Sequence, residues 1–297
     1  MKFKNIHIII NPASGTEEPI LSYLNKSFEN SGSKWSISVV HEKSDIKNSI
    51  KQIIKQSDLI VVYGGDGTVV EVAQHLIGKD IPLAILPGGT ANILAKELGI
   101  GSNTLEAIAL INNPNNKIIK IDTGLMNDIP FLIRVNFGIM AEMVSNTDRN
   151  LKNNFGQFAY GISAFQTLIE AEPIKFKMKI DGVEIKEHGV SLTITNSGNI
   201  GIEGYEFLPD ISIEDGYFDV ILLDQSNFLS VLKVAGSILL QTESEVLKRW
   251  KCKNITIKLP KSHAFICDDA EMKAKEIKIS IKPKSLNVLV PLEKNSV

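Results

Sequence analysis

Two glycine-rich segments in the first third of the chain constrain its fold more than any other feature. Residues 62–68 read Val-Tyr-Gly-Gly-Asp-Gly-Thr, and residues 86–92 read Leu-Pro-Gly-Gly-Thr-Ala-Asn. Each follows a short apolar run typical of a buried strand and precedes a stretch with helical spacing. A glycine turn between a strand and a helix aims backbone N–H groups at an anion, and the helix dipole adds to the attraction. The pattern therefore predicts a site for a nucleoside polyphosphate.

Asp66 lies inside the first of these segments, although a carboxylate repels phosphate. An acid at this position suits a ribose hydroxyl, a Mg2+ ion or the hydroxyl of a second substrate. A third loop, residues 11–15, follows the first apolar run and also contains a small hydroxyl residue, Ser14. Three such loops at successive strand ends favour a ligand site over three structural turns.

Other well-known motifs are absent from the sequence. It has no Walker A loop, no complete G-x-G-x-x-G fingerprint, no H-E-x-x-H, no G-x-S-x-G and no kinase H-R-D element. The five histidines show no ligand spacing, and the net charge of −2 gives no indication of nucleic-acid binding. Cys252 and Cys267 lie outside any paired metal spacing, and two cysteines favour a reducing cytoplasm over a disulfide framework.

Alternating strand-like and helix-like patterns up to about Asp122 indicate a mostly parallel sheet with helices on its faces. Beyond that point strand patterns dominate, bounded by Asp-Gly and Asn-Ser-Gly turns, with helical stretches near residues 155–169 and 228–240. We therefore predict an α/β protein of two domains. Residues 1–123 form an N-terminal α/β nucleotide-binding domain with a mostly parallel sheet, and residues 124–285 form a β-rich, antiparallel, sandwich-like domain.

Membrane contact is indicated only at the surface of the protein. No window approaches the roughly 20 apolar residues that span a bilayer, so we expect a soluble or peripheral protein. Residues 247–253 mix basic and aromatic side chains around Trp250, as interfacial segments do. The lysines between residues 273 and 284 partly alternate with apolar residues, which is typical of any strand with one solvated face. The Trp250 segment is therefore our first candidate for docking.

The motifs at residues 11–15, 64–68 and 87–92 together resemble the catalytic domain of the diacylglycerol kinase family, especially its bacterial lipid kinases. Sphingosine and ceramide kinases are more distant members, and NAD kinases share the Gly-Gly-Asp-Gly signature. Residues 214–220, with Pro209 before them, resemble a segment of the family's second domain, and residues 268–271 resemble its late Asp-Gly-Glu. The family pattern also returns the extreme C-terminus, about residues 286–297, to the first domain.

This resemblance implies a kinase that uses ATP and Mg2+ and phosphorylates a hydroxyl of diacylglycerol or a related lipid, with ATP between the domains. It implies that Asp66 organises nucleotide and metal, that Glu214 or Glu271 orients the acceptor hydroxyl, and that Asp215 holds Mg2+. The residues implied at the nucleotide are Asn11, Ser14, Gly64, Gly65, Gly67, Thr68, Gly89, Thr90, Asn92, Asp122 and Lys152.

The implied partners are ATP and a lipid acceptor at a membrane surface, without nucleic acid, and a homodimer stays open. The implied location is the cytoplasm, peripheral to the inner face of the membrane. The chain departs from the family pattern at Ile93, Met140 and Ala270, and it has no basic residue just after Gly15. Two alternatives stay open: a soluble-substrate kinase of the NAD kinase type, which shares the glycine loop, and a non-catalytic protein that binds nucleotide or lipid, which these departures motivate.

Overall fold

A computed structural model describes residues 3–13, 18–114, 116–139, 141, 172–199, 210–224 and 247–292 of the 297-residue chain. The chain divides into two compact units. The first comprises Met1–Thr123, Ser197–Gly216 and Lys282–Val297, and the second comprises Gly124–Asn196 and Tyr217–Ile281. The sequence-based limits of 1–123 with 286–297, and of 124–285, remain a prediction about domains, and the first compact unit differs from them by including Ser197–Gly216.

The first unit is built on a parallel sheet with the strand order β2-β1-β3-β4, followed by the last part of β14 beside β4. Its strands are β1 (Asn5–Ile10), β2 (Lys34–Val39), β3 (Leu59–Gly64) and β4 (Leu83–Pro87). Its helices are α1 (Ile20–Phe28), α2 (Lys43–Ile53), α3 (Asp66–Gln74), α4 (Ile93–Glu97) and α5 (Thr104–Asn112). Every residue of β3 and β4 is buried, as expected for strands covered on both faces.

The second unit is mainly antiparallel, with the strand order β12-β11-β10-β7-β13-β14 and a β8–β9 hairpin paired to β13. Its strands are β6 (Ile129–Phe131), β7 (Arg134–Gly138), β8 (Ile174–Ile180), β9 (Val183–Gly189), β10 (Ser191–Thr195), β11 (Phe218–Leu223), β12 (Leu247–Cys252) and β13 (Asn254–Cys267). Two longer strands, β5 (Asn116–Met126) and β14 (Ala270–Pro291), begin in one unit and end in the other.

Phenylalanine side chains fill the core of the second unit. Phe137 stacks on Phe265 with ring centroids 5.1 Å apart and meets Phe176 edge to face at 6.1 Å. Phe131 and Phe218 stack at 5.4 Å. Aromatic pairs at these distances add stabilisation beyond the apolar area that they bury. The core thus fixes the strands whose outer ends and faces carry the polar residues discussed below.

The predicted fold class is confirmed, and the strand patterns at residues 6–10, 36–40, 59–63 and 83–86 agree with β1 to β4 within two residues. Four elements were not predicted, namely α5, β5, β9 and β12. The patterns at residues 277–281 and 288–290 belong to one strand, β14, rather than to two. The helices predicted near residues 155–169 and 228–240 lie outside the described residues. None of the helices that the structure describes is long and apolar enough to cross a membrane.

Candidate functional site

The two glycine turns lie at the ends of the neighbouring strands β3 and β4 and contact each other directly. The N–H of Gly88 donates a 2.9 Å hydrogen bond to the carbonyl of Gly64. A Cβ on Gly89 would lie 2.7 Å from Cα of Gly65, and a Cβ on Gly64 would lie 2.7 Å from Cβ of Thr68. Glycine is therefore required at residues 64 and 89 because the turns pack against each other and against α3. The packing of the turns alone imposes this requirement, whether or not a ligand approaches them.

Asp66 links the first glycine turn to the second. It is the first residue of α3, after Gly65 as the N-cap, and its Oδ1 accepts a 2.7 Å hydrogen bond from the backbone N–H of Ile93 at the start of α4. A carboxylate at a helix N-terminus is stabilised by the helix dipole. Because the donor at residue 93 is the backbone N–H, this hydrogen bond does not depend on the side chain at that position.

Side-chain amides stabilise the turns from within. The Nδ2 group of Asn11 donates to Oγ1 of Thr68 at 2.9 Å. Asn92 has a left-handed backbone with φ of 49°, and its side chain forms two 2.8 Å hydrogen bonds with the backbone of Gly89. Asparagine tolerates this conformation better than most residues. These three polar side chains therefore hold the shape of the loops.

The surface left for a ligand is the rim of the two turns. Gly65, Asp66, Gly67 and Gly89 are partly exposed, and Thr90 is exposed. The first N–H groups of a helix such as α3 lack partners within the helix. The rim thus combines backbone donors, one hydroxyl and one carboxylate, which suits the phosphates and the ribose of a nucleotide.

Asp122 is fully buried within β5 and joins three distant parts of the first unit. Its Oδ2 accepts from the N–H of Gly216 and its Oδ1 from the N–H of Lys284, both at 2.7 Å. Its own N–H donates to the carbonyl of Ile213 at 2.8 Å. The sequence suggested that Asp122 lies at the nucleotide. In the structure, the hydrogen bonds of Asp122 hold the turn at residues 213–216 beside β14.

Glu214 and Asp215 occupy that turn, and both side chains are exposed. Carboxylate oxygens are the ligands that Mg2+ prefers, and Mg2+ usually takes one or two carboxylates and keeps several waters. This adjacent pair fits that chemistry. Among the described residues, no group of three or more His, Cys, Asp or Glu side chains is arranged to hold a metal ion.

Glu97, at the end of α4, is a residue that sequence reasoning missed. Its Oε2 accepts from Oγ of Ser197 at 2.6 Å and from the N–H of Asn199 at 2.9 Å. A charged acceptor strengthens both hydrogen bonds. Glu97 thereby fixes the segment after β10 beside α4, within the first unit. In the sequence, Glu97 follows Ile93 by four residues, and this spacing places both on the same face of a helix. It is the one sequence signal that connects Glu97 with the start of α4.

Glu271 belongs to the second unit, where the turn between β13 and β14 determines its position. Asp268, in that turn, accepts backbone hydrogen bonds from Leu132, Ile133 and Arg134 at 2.9 to 3.0 Å. Burial raises the pKa of Asp268 to about 6, against these three hydrogen bonds, which lower it. The sequence singled out this segment but not the hydrogen bonds that hold it.

A pocket of about 130 Å³ adjoins Glu271 in the second unit. Most of its lining is apolar, including Ile174, Phe265 and Ile266, and His263 contributes a second polar side chain. Burial, followed by the nearby Lys261 charge, lowers the pKa of His263, so this imidazole is neutral at physiological pH. An exposed carboxylate at the edge of an apolar pocket is an arrangement suited to a hydroxyl on a hydrophobic molecule.

Some predicted residues cannot be placed. Ser14, Lys152 and Met140 lie outside the described residues.

Both cysteines are buried and free, and burial, as the largest cause, raises the pKa of Cys252 to about 12. His7 is buried between Oγ of Ser36 and Oγ of Ser38, at 2.7 and 2.9 Å, and serves the β1–β2 pairing.

The fold defines an α/β protein of two units, and comparison with known proteins identifies its family. The profile of the diacylglycerol kinase catalytic domain matches residues 5–126. The profile of the YegS C-terminal NAD kinase beta sandwich-like domain matches residues 134–290, more than half of the chain. The chain belongs to the diacylglycerol kinase family and is a kinase.

Individual relatives agree with this assignment. A diacylglycerol kinase of Bacillus subtilis is 30% identical over 239 residues, which cover 78% of each chain. An uncharacterized protein of Synechocystis is 29% identical and covers 98% of this chain and 71% of its own. A crystal structure of a Bacillus anthracis protein provisionally named a diacylglycerol kinase matches with a TM-score of 0.82 at 26% identity, over 98% of this chain and 96% of its own.

Proposed function

We propose that this protein is an ATP-dependent lipid kinase that transfers the γ-phosphoryl group to a hydroxyl of diacylglycerol or a related lipid. The observation that carries the proposal is the pair of glycine turns in direct contact, with Asp66 bonded across them, in a member of the diacylglycerol kinase family. Relatives from Bacillus subtilis and Staphylococcus carnosus bear the name diacylglycerol kinase. The proposed enzyme is cytoplasmic and peripheral to the inner face of the membrane.

The nucleotide is proposed to bind at the rim of the turns. Gly65, Gly67 and Thr90 contact the phosphates, because these residues are exposed or partly exposed there and carry backbone N–H groups and the Thr90 hydroxyl. Gly89 lines the rim beside them, with its own N–H donated to Oδ1 of Asn92. The glycine loops are kept in shape by the contacts described above of Gly64, Asn11, Thr68 and Asn92. Asp122 keeps the turn at residues 213–216 in place. We assign Lys152 to neutralising phosphate charge and Ser14 to the first loop, on the family resemblance alone.

Phosphoryl transfer requires mainly that the reacting groups are aligned and that charge is neutralised. Asp66 is proposed to orient the nucleotide and its metal ion from the N-terminus of α3. Glu214 or Glu271 is proposed to accept the proton of the lipid hydroxyl, because both carboxylates are exposed. The pocket beside Glu271 has the apolar lining that a lipid acceptor needs.

A Mg2+ ion beside Asp66, when bound, would screen the phosphate charge. Asp215 is proposed to hold a structural Mg2+ ion, with Glu214 beside it in the same turn. Asp122 positions this turn by accepting the N–H of Gly216. The ion's affinity is therefore expected to depend on Asp122 even without direct contact.

The test is a radiolabelled-ATP assay with mixed micelles that contain diacylglycerol, phosphatidylglycerol, ceramide, sphingosine or polyprenol, with NAD as a soluble acceptor. Asp66→Asn retains an oxygen that accepts from Ile93 but lacks the charge, so we expect a folded protein with activity reduced by at least about 100-fold. Asp80→Asn makes the same change at an exposed site of the first unit and is expected to leave activity unchanged.

Three results bear on the proposal. A labelled lipid that is lost in Asp66→Asn but not in Asp80→Asn supports a lipid kinase and identifies its acceptor class. Phosphorylation of NAD alone would assign the soluble-substrate alternative. Bound ATP without any labelled product would favour the non-catalytic alternative. Glu214→Gln and Glu271→Gln then identify the base, since only the variant at the true base loses turnover while its affinity for ATP stays the same.

A further inference from the structure

One face of the second unit carries a concentrated positive charge that the chemistry above does not use. The strands β9, β8, β13 and β14 pair side by side in that order. On their inner face, Phe176, Met178, Ile257 and Ile277 are buried in the core. On the outer face, the exposed lysines are Lys175, Lys177, Lys179, Lys186, Lys258 and Lys278. We call these six residues the lysine face.

The register brings like charges directly opposite each other. Lys177 pairs with Lys186 on one side and with Lys258 on the other, so three lysines form one row across three strands. Strands lie about 4.8 Å apart, so neighbouring lysines of the row are separated by less than the Debye length of about 8 Å at physiological salt. Like charges directly opposite each other destabilise a sheet. The row therefore opposes the stability of the fold unless an anion lies against it.

Few acids on this face compensate the lysines. Glu276 lies 3.6 Å from Lys258, and Glu184 stands opposite Lys179. Counted over the part of the chain that the structure describes, these two glutamates against six lysines leave a net charge of +4 on the face, whereas the whole chain carries −2. A strand face that only contacts water needs polar side chains, and side chains of mixed charge would meet that need equally well. The concentration of one sign marks an interaction surface.

We propose that the lysine face binds the surface of a bilayer that contains anionic phospholipid. A broad sheet face with its cations in rows is complementary to the negative plane of such a bilayer, which attracts each nearby lysine by about 1 kcal/mol. The proposal rests on the proposed function only in that a lipid kinase must reach an acceptor held in a membrane. It names the surface that reaches it.

The segment around Trp250, which the sequence favoured for docking, is engaged elsewhere. Trp250 is partly buried against the core of the second unit. Its neighbour Lys248 lies 2.7 Å from Glu187, and Arg249 lies 2.6 Å from the buried Asp219. These basic side chains are neutralised within the protein. The lysine face keeps its charge for a partner.

The test compares binding of the full chain to vesicles of phosphatidylglycerol mixed with phosphatidylcholine and to vesicles of phosphatidylcholine alone, by co-sedimentation without ATP. The triple variant Lys177→Gln, Lys186→Gln and Lys258→Gln removes the central row. We expect roughly 10- to 100-fold weaker binding to the anionic vesicles. The matched control, Lys47→Gln with Lys51→Gln and Lys55→Gln, removes three exposed lysines from the first unit and should bind as the unmodified protein does.

Either of two results would overturn the proposal: equal binding by the triple variant and the unmodified protein, or equal loss in the control. A measurement that needs no variant is the salt dependence, because binding that ignores salt or lipid charge contradicts an electrostatic surface. A DNA duplex that binds more tightly than the vesicles and competes with them would assign the face to nucleic acid instead.

A further measurement separates the kinase reaction from docking to the membrane. In neutral detergent micelles the triple variant should phosphorylate the acceptor as fast as the unmodified protein, because no anionic surface is present. Its thermal midpoint should be no lower, because the repulsion between Lys177 and its neighbours is gone. If no acceptor is phosphorylated but anionic vesicles still bind through these lysines, the proposed function fails while the docking surface stands.

Discussion

Carboxylates that accept backbone hydrogen bonds recur throughout the structure. Asp66 accepts a hydrogen bond from the N–H of Ile93, and Asp122 accepts one each from Gly216 and Lys284. Asp268 accepts three from the backbone of residues 132–134. Charged acceptors form stronger hydrogen bonds than neutral ones. Several acids that a motif comparison assigns to chemistry are therefore also the residues that hold the loops in place. A variant at such a position changes shape as well as charge, so conservative substitutions and matched controls are required.

The contact between the two glycine turns gives a direct prediction. Gly89→Ala places a Cβ 2.7 Å from Cα of Gly65 and 3.0 Å from Oδ1 of Asn92, so the turns must separate. We expect the free energy of unfolding to fall by about 1–3 kcal/mol, as for other overpacked sites. Nucleotide affinity should fall with it, because the rim is formed by both turns. Urea denaturation and calorimetric titration with ATP measure the two effects.

Gly65→Ala is the matched control for stability. Its Cβ would approach no atom closer than Cα of Gly89 at 3.4 Å, and the backbone of Gly65, with φ of −80°, suits alanine. It should therefore change the unfolding free energy by less than about 1 kcal/mol. If both alanine variants were equally stable, the close packing of the turns could not be what requires glycine at residue 89.

Asp268 predicts a pH dependence of stability. Its pKa in the folded protein, about 6, lies above the ordinary aspartate value. Folding therefore favours the protonated form, and the stability that this group contributes is full below about pH 4 and is lost as the pH rises through about 6. The unfolding free energy of the unmodified protein, measured relative to that of Asp268→Asn, should thus fall between pH 4.5 and pH 7.5. A relative stability that rose with pH would contradict the raised pKa.

At the scale of elements, the first unit was largely predictable because its signals are local. Buried runs such as Leu59–Gly64 and Leu83–Pro87 read directly as strands, and glycines mark where each one ends. Longer elements were harder to predict. β14 has 22 residues and continues through the Pro283–Lys284 step, where proline and a left-handed Lys284 with φ of 50° resemble a strand end. Pairing with neighbouring strands overrides that local signal, and pairing partners cannot be read from one sequence.

The anchoring of the segment after β10 by α4 gives a prediction at this scale. Glu97→Ala leaves Oγ of Ser197 and the N–H of Asn199 without this acceptor. We expect a loss of about 1–3 kcal/mol in the free energy of unfolding, measured by urea denaturation. Glu97→Gln keeps one acceptor oxygen at the same place and should recover part of the loss. No difference between the alanine and glutamine variants would mean that these hydrogen bonds contribute nothing to stability.

At the scale of the molecule, the sequence predicted the fold class and the loops but not how distant segments combine. The first unit collects residues 197–216 and 282–297 around a sheet built from the first hundred residues. The lysine face arises from three separate stretches of chain, and only the strand register shows that Lys177, Lys186 and Lys258 form a row. Long-range pairing of this kind leaves no periodic signal, so the sequence favoured a local cluster around Trp250 instead.

Asp122 is where this long-range assembly can be tested as a whole. Its carboxylate connects β5 to Gly216, 94 residues away, and to Lys284, 162 residues away. Asp122→Ala leaves two N–H groups without the acceptor, each at a cost of about 1–3 kcal/mol, so we expect the unfolding free energy to fall by about 2–5 kcal/mol. Asp122→Asn keeps one oxygen and should have a stability between that variant and the unmodified protein, whereas Asp80→Ala, at an exposed site, should change little.

Because Asp122 positions the turn that carries Glu214 and Asp215, the folded fraction of Asp122→Asn should also need more Mg2+ for half-maximal ATP-dependent turnover. An Asp122→Ala protein as stable as Asp80→Ala would show that the turn is held by other contacts, and the proposed link between Asp122 and the metal site would fall with it.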